Sequence, residues 1–407
     1  MDREPASAAD LELMVGSPAG ETARVTLGNW QYGPYNRWAF QHVRELIPTV
    51  VVERGEGPVR PLPRRPEDIG ALTVALDGER YSLAEALAAT YTDGFMVLHR
   101  GAVIDERYLN GLTDDQPHLL WSVSKSITGL LAGALVGDGT LDLTRAVDDY
   151  VPELGKSGWA GNSVRTVLDM QTTSNWIEDY DDAASSVRRQ DASNGLLPMP
   201  KEFVGLPRGN YFFLPTIGRS DERAGTFIYK SGDTDVAAWS MERAAGRRLA
   251  SLLSQRVWSR IGAEHAAYFT VDPSGSVLAS GGLNATLPDI ARIGQLVLDY
   301  GAVGERQVVP AAWVRDIFAE RNDAAWGAGP HGEASGGYRS FWWHRANANG
   351  AIYAHGVHGQ WIYVDPEAHV VIAKLSSHPE PVSQTGERLT LATFDAIVRA
   401  LQSSTEE

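Results

Sequence analysis

Apolar and polar positions alternate most clearly between Phe95 and Leu109 (FMVLHRGAVIDERYL), where Phe95, Val97, Val103, Ile104 and Tyr108 flank Arg100-Gly101. That pattern predicts a β-hairpin turning at the glycine. The next apolar run, ITGLLAGALVG, has the length and small-residue content of a buried helix, and it stops at Asp138-Gly139. Ser163 to Met170 begins on an N-capping residue and reads as a short helix. From Thr172 to about Pro215 the periodicity fades and loop residues dominate, the signature of a binding loop or lid. Helical spacing returns over Thr234 to Leu253 and over Ala285 to Tyr300, the latter starting at Thr286 before Leu287-Pro288-Asp289. Four strand-like runs follow, Tyr338 to His344, Ala351 to Ala354, Trp361 to Val364 and His369 to Leu375, spaced by turn residues as in an antiparallel meander. A last helix is predicted from Gly386 to Leu401, and the proline-rich first 70 residues are expected to form an arm against the main body. The order of hairpin, helical middle, strands and helix predicts an α+β fold in which both chain ends build one antiparallel sheet. Residues 1–120 with 286–407 are expected to form the sheet domain, and 121–285 a mainly helical inserted lobe.

Composition narrows the function classes. With 407 residues the chain can bury a large core. A formal net charge of −15 argues against nucleic acid and anionic membranes as partners. The absence of cysteine removes disulfides and thiol chemistry. The N-terminus lacks the basic start and apolar core of a signal peptide, and no stretch approaches the roughly 20 apolar residues of a membrane span, so a cytoplasmic location is expected.

The chemistry concentrates in three places. Ser122 and Lys125, in WSVSKS, precede the buried-looking helix and would share one helix face about a turn apart. A serine hydroxyl needs a base to become a nucleophile, and a desolvated lysine, its charged form disfavoured, can be that base. The same spacing also fits an N-capping serine beside a solvated lysine. Tyr229, in TFIYKSGDTDV, offers a phenol that can pass a proton between such a serine and a leaving group, or equally a core aromatic ring. In YAHGVHGQ, glycines allow close backbone approach, so the N–H of Val357 can join that of Ser122 in an oxyanion hole. The competing reading is metal binding by His355 and His358, for which no third ligand is suitably spaced. No metal and no cofactor is expected.

Taken in order, SVSK, YKS and AHGV resemble the Ser-x-x-Lys, Tyr-x-Asn and Lys-Thr-Gly motifs of the penicillin-recognising serine hydrolases of the class C β-lactamase and esterase type. PYNRWAFQHVRELIPT, WSVSKSITGLL, IYKSGDTDV, GGLNATLPDIARIG and HGVHGQWIYVDP are most similar to the 6-aminohexanoate-dimer hydrolase branch. The resemblance implies a β-lactamase/transpeptidase-like fold and acyl transfer on small amides or esters. It implies Ser122 as nucleophile, Lys125 and Tyr229 as the proton-transfer pair, and Ser231 in place of the family asparagine. Two departures bear on specificity. The strand residue that meets a β-lactam carboxylate is Ala354 here, or His355 with a shift of one position, next to Gly356. Tyr180, in EDYDD, and Asp191, in RRQDASNG, match positions that hold linear amides in that branch, where an aspartate can pair with a substrate ammonium. The alternatives are a carboxylesterase or weak β-lactamase on the same fold, or a non-catalytic binding or sensor domain. The expected partner is a small substrate, and a homodimer is an admissible assembly.

Overall fold

A computed structural model describes residues 4–222, 224–319, 326 and 336–403. Among these residues the main sheet has seven antiparallel strands: β1 (Thr92–His99), β2 (Ala102–Tyr108), β3 (Gly337–Arg339), β4 (Trp342–His344), β5 (Ile352–Gly356), β6 (Gln360–Asp365) and β7 (Val370–Ser376). Their order is β3-β4-β5-β6-β7-β1-β2, so β1 beside β7 joins the early hairpin to the late meander. The β1–β2 turn falls at Arg100 and Gly101, with φ of 50° and 78°, the two left-handed positions that a two-residue hairpin of the favoured twist demands.

All eight residues of β1 are buried, because both sheet faces are covered. Side chains alternate between those faces. Met96, Leu98, Ile362, Val371 and Ala373 join the large core with Leu287, Ile290, Ile293 and Val297 of helix Leu287–Leu298. Phe95, Val97, Trp361, Tyr363 and Ile372 pack on Phe394, Ile397 and Leu401 of helix Gln384–Ser403. The antiparallel sheet flanked by helices is therefore as the sequence predicts.

Several local expectations are corrected. YRSFWWH is not one strand but the tight hairpin β3–β4, folded at Ser340 and Phe341 with φ of 50° and 66°. Ser340 is its one turn-type residue, and no Gly, Asn or Asp marks the two left-handed positions. The hairpin is held by Ser340 N–H donating to Asp169 (3.0 Å) and Phe341 N–H donating to Leu168 (3.2 Å). Thr234 to Leu253 is two helices, α3 (Ser231–Ala245) and Leu249–Arg256, parted by Gly246 at φ 62°. The segment expected to be loop contains α2 (Ser186–Asn194), capped by the Ser185 hydroxyl. Its sequence, SVRRQDASN, has no apolar stripe because the buried face is itself polar.

The arm also contributes Thr49–Val52 to a second sheet with Ala267–Thr270, Leu283–Ala285 and His118–Leu119. His118–Leu119 leads directly into helix α1 (Val123–Gly137), and the strand-to-helix corner carries Ser122. No described helix is long and apolar enough to cross a membrane.

Candidate active site

Ser122 occupies the N-cap position of α1, yet its side chain makes no capping bond. The preceding residue, Trp121, has φ 44°, so the corner is sharp, and its ring is stacked on Trp30 of the arm, centroids 5.6 Å apart. The Ser122 hydroxyl is thus free to accept from Lys125 Nζ at 2.7 Å. Lys125 is not solvated. It is 2% exposed, it donates also to the Ser280 carbonyl at 2.6 Å, and it lies 5.1 Å from the Tyr229 ring centroid.

Burial lowers the Lys125 ammonium to a pKa of about 8, against the opposing pull of Glu178 and Asp235. Burial, helped by Glu178, raises the Tyr229 phenol well above the usual tyrosine range, while a hydrogen bond with Ser122 opposes that rise. Near neutral pH, therefore, the phenol keeps its proton and the amine can give its up. A hydroxyl between such groups can lose its proton to the amine.

Gly356 explains how β5 comes so close. A Cβ there would sit 2.6 Å from the Leu120 carbonyl and 2.9 Å from Ser122 N. Its lack of a side chain lets Ser122 and Val357 line the same cleft. Among the described residues, neither amide donates to another protein group outside regular elements.

Two hollows meet at Ser122, Tyr180, Val357 and Pro381. The first, the narrower, runs from Lys125 past Trp121, Leu278 and Val187 to Asp191. The second, wider and open, holds Tyr229, Trp343 and His355. The structure therefore gathers Ser122, Lys125, Tyr229, Tyr180, Asp191, Ser231, His355 and Val357 around one cleft. Ala354 is instead buried in the core, so His355 is the strand residue that reaches the cleft. His355 stacks on Trp361 at 4.0 Å, and its Nε2 is 3.8 Å from Glu387. His358 packs between Phe40 and Trp121 with Nδ1 at 2.6 Å from the His378 carbonyl, and burial lowers its pKa to about 3. Among the described residues no three His, Asp or Glu side chains are grouped as a metal site.

Asp191 lies on α2, not on a loop, and is 8% exposed. Its carboxylate accepts from Arg188 at 2.9 Å, and burial raises its pKa to about 7 despite that partner.

Two carboxylates were missed in the sequence. Glu178 accepts from the Ser231 amide (2.8 Å) and hydroxyl (2.6 Å), from Tyr180 (2.7 Å) and from Trp176 Nε1 (2.6 Å). Asp235 accepts from the amides of Ala279 (2.9 Å) and Ser280 (3.2 Å) and from Gln190 (2.8 Å). It thereby orients the Ser280 carbonyl that holds Lys125. No signal set Asp235 apart, because it stands beyond the first turn of α3, where Asp233 is the acidic residue that the helix dipole favours. Glu178 stood in a stretch without periodicity, with no signal to set it apart.

The beta-lactamase family model matches residues 80–394. The chain belongs to the beta-lactamase family. It is 38% identical over 392 residues to a 6-aminohexanoate-dimer hydrolase of Paenarthrobacter ureafaciens, covering 95% of this chain and 96% of that protein. A solved Bacillus anthracis structure, provisionally called a 6-aminohexanoate-dimer hydrolase, superposes with a TM-score of 0.87 at 30% identity, covering 93% of this chain and 98% of the other. A penicillin-binding protein homologue from Caulobacter crescentus shares the fold, with a TM-score of 0.55 at 16% identity over 74% of this chain and 92% of its own. The chain is accordingly an enzyme of the serine amidohydrolase and esterase kind, and the reading as a non-catalytic module is set aside.

Proposed function

We propose that this family member hydrolyses small linear amides, with 6-aminohexanoate dimer as the model substrate, through an acyl-enzyme on Ser122. The observation that carries the reading is the Lys125–Ser122 contact of 2.7 Å on a buried lysine whose pKa is about 8. Neutral Lys125 takes the Ser122 proton as Oγ attacks the carbonyl carbon. The oxyanion that forms is held by the N–H groups of Ser122 and Val357, near the positive end of α1. Tyr229 gives its proton to the leaving nitrogen and is reprotonated from the Lys125 ammonium, so the C–N bond breaks and the free amine departs. Water then attacks the ester, its proton passing back through the same pair, and the acid is released with Ser122 restored.

In this reading the acyl half lies in the hollow that ends at Asp191, and the leaving half lies against His355 and Trp343. Ser231 and Tyr180, both fixed by Glu178, border the scissile bond, and residues 121–285 act as the lobe that brings the nucleophile and substrate contacts to the sheet. The 38% identity to the Paenarthrobacter ureafaciens hydrolase supports the choice of model substrate.

The test is labelling and turnover together. Wild-type protein is expected to be labelled at Ser122 by a fluorophosphonate, one probe per chain, and to release 6-aminohexanoate from the dimer. Ser122→Ala is expected to lose both while keeping its circular dichroism. Substantial residual activity in Ser122→Ala refutes the nucleophile. Parallel assays with short esters and nitrocefin separate amidase from esterase and β-lactamase action.

A further inference from the structure

Of the two histidines in YAHGVHGQ, His358 has no part in the reaction above, yet it lines the same hollow as Ser122, Arg188 and Asp191. It stands at φ 63° in the turn from β5 to β6, directly after Val357, so one turn carries both the Val357 amide and the imidazole. The ring packs against Phe40 and Trp121, with centroids 5.0 Å and 5.7 Å away. Its Nδ1 is 2.6 Å from the His378 carbonyl. A carbonyl only accepts, so Nδ1 carries the proton and Nε2 keeps its lone pair. Burial, reinforced by the charge of Arg188, holds the ring neutral, with a pKa of about 3. Nε2 makes no hydrogen bond among the described residues, and it is not sealed from solvent.

That lone pair bears on the far end of the hollow. The ammonium of a 6-aminohexanoyl group brings three N–H donors out of water, and each one left without an acceptor costs free energy. Arg188 Nη1 donates to Asp191 Oδ2 at 2.9 Å, leaving Oδ1 to meet the ammonium. Gln31 Oε1 and the Tyr32 hydroxyl line the same hollow but already accept from Arg188, at 3.0 Å and 2.6 Å. His358 lies close enough to Arg188 to feel its charge, and its Nε2 is an acceptor not yet in use. A methyl end would exclude water from that nitrogen and give it no donor in return.

We propose that His358 is a specificity-determining residue: its Nε2 accepts a hydrogen bond from the ammonium end of the acyl half, beside the carboxylate of Asp191. This rests on the acyl-enzyme reading above and adds to Asp191 a second group that recognises its acyl half.

The experiment compares two matched substrates at one pH, 6-aminohexanoyl p-nitroanilide and heptanoyl p-nitroanilide, which differ by an ammonium in place of a methyl group. Wild type is expected to show the higher kcat/KM on the ammonium compound. His358→Phe keeps a ring beside Phe40 and Trp121 but has no lone pair. It is expected to lower the ratio of the ammonium to the heptanoyl compound by about tenfold to a hundredfold, the span of one hydrogen bond to a charged group. His358→Asn suits a left-handed turn and can still donate to the His378 carbonyl, but it is too short to replace Nε2, so the same fall is expected. His358→Gln brings an amide oxygen near the place of Nε2 and is expected to keep a higher ratio than either. The proposal is overturned by a wild type without the preference, or by equal losses on both compounds in His358→Phe and His358→Asn. It is overturned equally by a ratio that these variants leave within about threefold in protein still labelled by a fluorophosphonate at Ser122, or by a ratio in His358→Gln no higher than in His358→Phe. Heptanoyl p-nitrophenyl ester keeps the two readings apart. Failure to acylate Ser122 with it sinks the acyl-enzyme and the proposal together, whereas acylation with an unmoved ratio sinks only the role of His358.

Discussion

Lowering the pH through 8 is expected to switch the enzyme off by protonating Lys125. The lysine is held by burial at a pKa of about 8, against 10.5 for a free side chain, and the neutral amine is the form that can accept the Ser122 proton. Well below pH 8 the neutral fraction falls about tenfold per unit, so near pH 6 about one enzyme in a hundred carries a competent base. The logarithm of kcat/KM for an uncharged ester is therefore expected to climb with unit slope from pH 6 and to level off above 8. The linkage to stability has a definite sign. The folded pKa lies below the unfolded one, so between about 8 and 10.5 the unfolded chain binds more protons, and stability rises with pH through that window. At pH 7 the burial costs about 3 kcal/mol. Lys125→Met, of similar length, removes that cost. It also loses the two hydrogen bonds to Ser122 and Ser280, about 1 kcal/mol each. The net expectation at pH 7 is an inactive protein stabilised on the order of 1 kcal/mol, read from urea unfolding. A flat pH profile between 6 and 9 refutes the argument. An inflection near pH 10.5, the value of a free lysine, would show that burial does not tune Lys125 and refutes it equally.

Two further outcomes test neighbouring parts. Tyr229→Phe is expected to lower kcat on amides by about 10²–10⁴-fold with a smaller change in KM, because the ring still packs against Trp343 while the proton donor is gone; a rise in KM alone would make Tyr229 a positioning residue. Gly356→Ala places a methyl 2.6 Å from the Leu120 carbonyl and 2.9 Å from Ser122 N, so it is expected to push β5 off the nucleophile and cut kcat at least about tenfold, with ester kinetics and fluorophosphonate labelling as the readout.

The parts of this fold that sequence reasoning reached are those with a local cause. The β1–β2 hairpin was legible because Arg100-Gly101 supplies its own turn, and the helix after Ser122 because its apolar run is long enough to be buried on all sides. The β3–β4 hairpin was not, since Ser340 and Phe341 are forced into positive φ by contacts with Asp169 and Leu168, more than 170 residues away in the chain. Helix α2 was hidden for a related reason. Its inner face satisfies Gln190 with Asn210 and Asp235, and Asp191 with Arg188, so it buries hydrogen bonds where a periodicity argument looks for leucines. The candidate site divides in the same way. Ser122, Lys125 and Tyr229 could be picked out because their chemistry needs those residue types. Glu178 could not, because its value lies in the four donors that the fold aims at it.

Those donors show how the site tolerates its charges. Lys125 and the α3 carboxylates Asp233 and Asp235 are buried, and burial pushes each of them towards its neutral form. Each carboxylate is instead occupied by fixed donors. Asp233 takes the Trp159 indole at 2.7 Å and the Thr172 hydroxyl at 3.0 Å, Asp235 takes two backbone amides, and Glu178 takes Ser231, Tyr180 and Trp176. Their negative charge is felt at Lys125 through Glu178 and Asp235 without either forming an ion pair with it among the described residues. A direct pair would hold the amine protonated and disable it as a base. Attraction from carboxylates tied elsewhere offsets only part of the burial cost and leaves the Lys125 pKa near 8, which keeps a neutral amine within reach for the proposed role as base. The carboxylates thus serve the lysine best by being bonded to something else.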